Sequence, residues 1–260
     1  MQIFDLTFLG AGYLLSTEPG QAEALQSALD MYLFAEYVTL ADESPTYAPL
    51  ELVGPKALEV LRQVATDAPS ERGDEHEQAL ATFKDSPLRI VPLDVAGYPG
   101  LRVEVDPTHI EALFDALEVA GARPGGLVAH DSLRSDRVSG AFGSEITDDV
   151  YPQEARLEDA FSLEKGCYIG QEVVAKIDTY GGLNKRLFRL RVSHDDPVPA
   201  GTRLVRTIGD EQRDLGVVTT WAYSFEEDGG VVLGYVKRKH QEPGTEFQLG
   251  DSEATATLRA

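Results

Sequence analysis

The chain holds a single cysteine, Cys167, set in the run Lys165-Gly166-Cys167-Tyr168-Ile169-Gly170-Gln171-Glu172. The thiolate is the nucleophilic and metal-binding form of a cysteine, and a nearby cation favours it. Lys165 is the cation at hand, and Gly166 and Gly170 allow a tight backbone path around the sulfur. The plain alternative is a buried cysteine that acts as a small apolar side chain. A second feature lies in the same stretch. From Lys165 to Arg191 six basic residues (Lys165, Lys176, Lys185, Arg186, Arg189, Arg191) face only two acidic ones, Glu172 and Asp178, in a protein of formal net charge -21. Phe188, Leu190 and Val192 alternate with Arg189 and Arg191, so part of this surplus is the solvent face of a strand. The strip is still the best approach for an anionic ligand, such as a polyglutamyl tail, a phosphate or an acidic partner.

Composition narrows the chemistry further. One cysteine excludes an internal disulfide framework and any zinc or iron–sulfur site built from several local thiolates, while leaving open a cluster shared with another chain. The five histidines (His76, His109, His130, His194, His240) are scattered, with no pair at helical ligand spacing. The acidity opposes binding of duplex nucleic acid and fits a soluble or salt-tolerant protein. No apolar run approaches the ~20 residues of a membrane span, and no basic-then-apolar leader opens the chain. A cytoplasmic location without membrane or direct nucleic-acid contact is the expectation.

These residues must be positioned by an ordinary globular scaffold, for which 42% hydrophobic and 26% charged residues over 260 positions are typical. Gly12–Thr17 reads as a strand, followed by a helix opened by Pro19 with Ala22, Leu25, Leu29 and Leu33 on one face. Tyr37–Ala41 and Ala48–Val53 read as strands. Gly54-Pro55 starts a helix that turns Leu58, Leu61, Val64 and Ala65 inward. The polar stretch 67–86 suggests a mobile or loosely helical insertion. Arg89–Val95 and the alternation Leu101, Val103, Val105 suggest two strands. Asp106 then caps a helix with Pro107 at its first position, Ile110, Leu113, Phe114 and Leu117 inward, and Gly121 beyond its end. A further helix is expected over Leu127–Arg134, and 138–166 is loop-rich. From about residue 184 the pattern changes to short alternating strands (186–192, 202–206, 216–221, 231–236, 246–249) separated by Gly, Pro and Asp. The fold class expected is α+β, ferredoxin-like, over residues 1–183, followed by a small β-barrel over 184–260.

The octapeptide KGCYIGQE resembles the K-G-C-aromatic-x-G-Q-E signature of the YgfZ-like, folate-binding relatives of the glycine-cleavage T-protein. Leu52–Ala57 is similar to the helix entry of that superfamily, Leu133-Arg134 to its Leu-Arg pair, Pro152–Ala155 to its P-x-E-A, and Asn184–Leu187 to the entry of its C-terminal barrel. The resemblance implies a folate pocket and binding of tetrahydrofolate or a one-carbon derivative. It further implies support of iron–sulfur cluster assembly or repair in client proteins, including radical enzymes that modify tRNA. On this resemblance Cys167 is the reactive group, as a redox thiol or a transient cluster ligand. Arg134 pairs with a folate carboxylate through two hydrogen bonds, and Lys165, Gly166, Tyr168, Gly170, Gln171 and Glu172 form the rest of the cofactor-binding set. Asp94–Leu101 lacks the Gly-Glu that the aminomethyltransferase relatives use to hold the pterin, which favours an accessory role over catalytic turnover. A folate-dependent aminomethyl transferase and a degenerate scaffold are the alternatives. Met1–Leu6 aligns with a strand that family members reach after several dozen residues, so the N-terminal part of the family pattern is expected to be missing.

Overall fold

A computed structural model describes residues 3–74, 77–168, 170–180 and 182–259. His76 and Ile169 lie outside the described residues. Two compact units divide between Pro124 and Gly125.

The first unit opens with an antiparallel hairpin, β1 (Phe4–Phe8) and β2 (Tyr13–Thr17), followed by α1 (Ala22–Asp30). Its body runs β3 (Ala48–Val53), α2 (Ala57–Val64), β4 (Ala79–Phe83), β5 (Ser86–Val95), β6 (Tyr98–Val105) and α3 (Ile110–Val119). The four strands form one antiparallel sheet in the order β3-β6-β5-β4. Alternation on β6 turns Leu101, Val103 and Val105 into a core shared with Leu61 of α2 and with Leu113 and Leu117 of α3. Asp106 accepts a hydrogen bond from the backbone N–H of Thr108 at 2.8 Å and opens a short 3₁₀ turn that leads into α3.

Three expectations change here. Phe114 is 40% exposed, because the buried stripe of α3 runs through Leu113 and Leu117, one turn apart, and Phe114 lies about 100° around the helix from Leu113. The stretch 67–86 contains β4, with Ala81 and Phe83 inward, joined to β5 by a two-residue turn in which Lys84 and Asp85 are both left-handed. Its two small alanines and polar surroundings hide the alternation in the sequence. Tyr37–Ala41 forms no strand, since no neighbouring strand offers it a ladder among the described residues.

The second unit begins with α4 (Leu127–Asp136), continues through a long loop to α5 (Gln171–Tyr180), and ends in six strands: β7 (Lys185–Val192), β8 (Arg203–Ile208), β9 (Glu211–Ser224), β10 (Gly229–Lys237), β11 (Glu246–Leu249) and β12 (Thr255–Leu258). They close into a barrel in the order β10-β7-β12-β11-β8-β9. Its interior holds Leu190, Leu204, Val232, Val236, Phe247 and Leu258, all essentially inaccessible to solvent. The α+β fold and the terminal barrel both agree with the expectation. The sixth strand, β12, is the one the sequence hid: four residues, half of them threonine, that complete the closure by pairing with β7.

Closure needs glycine where β9 and β10 press together. A Cβ on Gly216 would lie 2.3 Å from the Tyr235 carbonyl oxygen, and one on Gly234 would lie 2.7 Å from that of Val217. The register between the two strands slips beside Gly234, which bends the ribbon there.

Candidate functional site

The octapeptide forms the end of the long loop and the first turn of α5. The loop ends at Gly170, whose φ of +84° is a left-handed conformation that other residues resist. Gln171 and Glu172 then begin the helix. Cys167 is exposed, which sets aside the buried-cysteine alternative and leaves the sulfur open to a partner molecule. Gly166 has no neighbouring atom within 4 Å of where its Cβ would be, so the backbone beside the thiol is bare. The ammonium of Lys165 sits 4.7 Å from the centre of the Tyr168 ring, a cation–π contact. Glu172 and Lys176 pair weakly along the exposed face of α5 at 3.8 Å.

Two buried polar atoms nearby have no protein partner. The Tyr168 hydroxyl is one, and Gln153 Oε1 is the other, while the Nε2 group of Gln153 donates to the Val174 carbonyl of α5 at 3.0 Å. Gln153 also lines a cleft of about 620 Å³ with Phe161, Leu163, Ile177 and Leu183 on the apolar side and Glu158, Ser162 and Glu164 on the polar side. Apolar walls with a few polar groups are the usual makeup of a small-molecule site.

Arg134 is not on this loop. It lies in the last turn of α4 and is almost wholly buried, with its charge spent inside the protein. Its Nε donates to Asp131 at 2.7 Å, one terminal nitrogen to Glu145 at 2.7 Å and the other to the Thr220 hydroxyl at 2.9 Å. The Glu145 side chain is fully buried and also accepts from the Ala141 N–H at 3.0 Å and the Thr220 hydroxyl at 2.6 Å. The Glu145 carbonyl takes the Tyr235 hydroxyl at 2.8 Å. Burial, reinforced by the negative charges of Glu145 and Glu154, pushes the Tyr235 phenol well above its ordinary range and keeps it a donor. The network ties α4 and the loop after it to β9 and β10. The guanidinium expected to meet a folate carboxylate is therefore held by an internal carboxylate. Glu145, Thr220 and Tyr235 carry no mark of this network in the sequence, because the latter two lie 75 and 90 positions from Glu145.

The basic strip is also largely paired. Arg186 meets Glu158 at 2.6 Å, Arg189 meets Glu227 at 3.0 Å and Asp136 at 3.3 Å, and Arg191 meets Asp195 at 3.7 Å. All four of these carboxylates lie outside Lys165–Arg191, so the local surplus is smaller in the fold than along the chain. Lys165 and Lys185 each have an aromatic ring contact, at 4.7 and 4.9 Å, and no carboxylate partner among the described residues. Among those residues no group of three or more His, Cys, Asp or Glu side chains is arranged to hold a metal ion, and no helix is long and apolar enough to cross a membrane.

An α+β body followed by a closed six-stranded barrel is the arrangement that the comparisons with known proteins recover. Residues 8–165 match the GCVT N-terminal domain, and residues 185–258 match the glycine cleavage T-protein C-terminal barrel domain. The chain belongs to the glycine-cleavage T-protein family. It is 32% identical to an aminomethyltransferase of Herpetosiphon aurantiacus over 85% of this chain and 63% of that protein. It is 31% identical to an aminomethyltransferase of Symbiobacterium thermophilum over 81% of this chain and 56% of that one. The crystal structure of the glycine cleavage system aminomethyltransferase T from Bartonella henselae superimposes with a TM-score of 0.80 at 25% identity, covering 98% of this chain and 70% of that one. The chain thus spans a little over half to somewhat under two thirds of the length of these two curated relatives.

Proposed function

We propose that this T-protein-family chain binds tetrahydrofolate or a one-carbon derivative and serves, in the YgfZ-like manner, as an accessory factor for iron–sulfur proteins, working through Cys167. The observation that carries the reading is the exposed thiol on a glycine-flanked loop at the start of α5, within the octapeptide Lys165–Glu172. The cleft beside that loop suits a flat, hydrogen-bonding ring: Phe161, Leu163, Ile177 and Leu183 supply apolar wall, Glu158 and Glu164 can accept from ring N–H groups, and Gln153 Oε1 awaits a partner. The folate supplies a one-carbon carrier. The protein's part is to bind its ring, to keep Gly166 and Gly170 bare so that a partner can reach the sulfur, and to hold the loop in place. Lys165, Gln171 and Glu172 shape the polar margin of the same site. Arg134 serves it as a positioning residue, by fixing the chain around Glu145.

An iron–sulfur cluster enters this account as cargo. With one cysteine in the chain, any cluster held here takes its remaining thiolates from a client or assembly protein. A host strain defective in an iron–sulfur tRNA-modifying enzyme supplies the test. Wild-type protein restores the modified nucleoside, whereas Cys167→Ala, matched to wild type in abundance and melting temperature, does not. Full restoration by Cys167→Ala would remove the thiol from the mechanism.

A second reading is folate-dependent aminomethyl transfer, favoured by the names of the relatives and by the T-protein fold. It rests on a positioned carboxylate and the folate nitrogen instead of a thiol. An assay of one-carbon transfer to tetrahydrofolate separates the two readings, since this activity would survive Cys167→Ala.

A further inference from the structure

Gln153 lines the cleft of the second unit and is only 8% exposed. Its Nε2 group donates to the Val174 carbonyl of α5 at 3.0 Å. That bond fixes the amide, because the flipped group would set its oxygen against the carbonyl oxygen. Oε1 is therefore a fixed acceptor, and it has no protein partner. A buried acceptor left unpaired costs stability, so a ligand N–H that satisfies it gains more than the exchange of one water bond for another.

The other polar side chains of the cleft have the same sense. Glu158 and Glu164 both line it, and they differ in what they have left to offer. Glu158 is matched by the Arg186 guanidinium at 2.6 Å. Glu164 has no cationic partner among the described residues. The Ser162 hydroxyl oxygen accepts the backbone N–H groups of Glu164 and Lys165, each at 3.2 Å, which holds Glu164 in its turn. Acceptors thus dominate the polar side of the cleft. Such a site favours a flat ring with a row of N–H donors and disfavours an anion. Tetrahydrofolate has both parts: the pterin ring carries amide and amino N–H groups along one edge, and the tail ends in carboxylates. We infer that the cleft takes the pterin ring by its N–H edge, that Gln153 sets the specificity for that edge with Glu164 as second acceptor, and that the glutamate tail stays outside. The inference rests on the folate reading and adds which end of the cofactor is held and which residue selects it.

The test uses the full 260-residue chain and calorimetric titration with three fragments of the cofactor. They are 6-methylpterin, its derivative methylated at the ring amide nitrogen, and p-aminobenzoylglutamate, which is the tail alone. 6-Methylpterin is expected to bind at least about tenfold more tightly than the methylated derivative, since a site built to pair an N–H rejects the analogue without it. The tail alone is expected to give no saturable heat. Gln153→Met, close in shape but without an acceptor, brings the two pterins to within about twofold of each other. Glu164→Gln, an exposed change that spares the fold, weakens 6-methylpterin several-fold and its derivative little. Should Gln153→Met unfold, the affinity ratio in Glu164→Gln carries the test. Equal affinity of the two pterins for the wild-type chain, an unchanged ratio in the folded variants, or saturable binding of the tail alone would each overturn the inference. Tetrahydrofolate titrated in parallel separates the two claims. If it binds while the pterins are not told apart, the inference alone fails; if neither it nor 6-methylpterin binds, the folate reading fails with it.

Discussion

At the scale of single residues, Arg134 and Glu145 define the protein's interior more than its ligand surface. Both side chains are withdrawn from water and each is the other's main charge partner. Removing one leaves the other ionised in a poor solvent, whereas removing both removes the problem. Arg134→Met is therefore expected to cost about 3–5 kcal/mol in urea unfolding, and Arg134→Met combined with Glu145→Leu is expected to cost much less than the two single changes added. A strictly ligand-facing arginine would show neither effect. Tyr235 gives a matching pH prediction. Its folded-state pKa is raised, so its contribution is fully present below the ordinary tyrosine range and is lost as pH climbs beyond ~10. Tyr235→Phe should lower stability by about 0.5–1.5 kcal/mol at neutral pH and flatten the alkaline decline. Cys167 was legible in the sequence because a lone cysteine between glycines is a local pattern. The Arg134 network was not, because it joins α4 and its loop to barrel strands far along the chain. A single sequence carries no mark of which distant polar residues will meet.

At the scale of elements, legibility followed apolar periodicity. The helices with strong stripes, α2 and α3, stand where the spacing of Leu58, Leu61, Leu113 and Leu117 puts them, and β6 follows its alternation. Elements built from small or polar residues escaped: β4 through its alanines, β12 through its threonines, and α5 because Gln171–Tyr180 reads as a chemical motif before it reads as a helix. The reverse error, a strand over Tyr37–Ala41, came from propensity without a partner to pair with. The barrel makes a sharper demand than periodicity alone reveals. Since a methyl group at Gly216 would press on the Tyr235 carbonyl, and the ladder holds that backbone in place, Gly216→Ala should lose about 1–3 kcal/mol in thermal or urea unfolding. Gly73→Ala, with open space around its position, should change stability little.

At the scale of the whole molecule, the family was legible because its landmarks are spread along the chain, from the helix entry at Leu52–Ala57 through the octapeptide to Asn184–Leu187. The two family domains cover residues 8–165 and 185–258 and leave the whole of α5 between them. Charge along the sequence was less informative. The basic strip is a surplus along the chain, yet the fold sets carboxylates from other segments against its three arginines. An anionic cofactor would therefore owe its affinity to the cleft and its unpartnered polar groups rather than to a basic surface. Calorimetric titration of tetrahydrofolate into the purified chain and into Cys167→Ala tests this most directly. Saturable binding is expected with a dissociation constant of about 1–100 μM, or roughly 5–8 kcal/mol, closely similar in the two proteins because the thiol acts on a partner rather than on the folate. Absence of any saturable heat with wild-type protein at about millimolar tetrahydrofolate would contradict it.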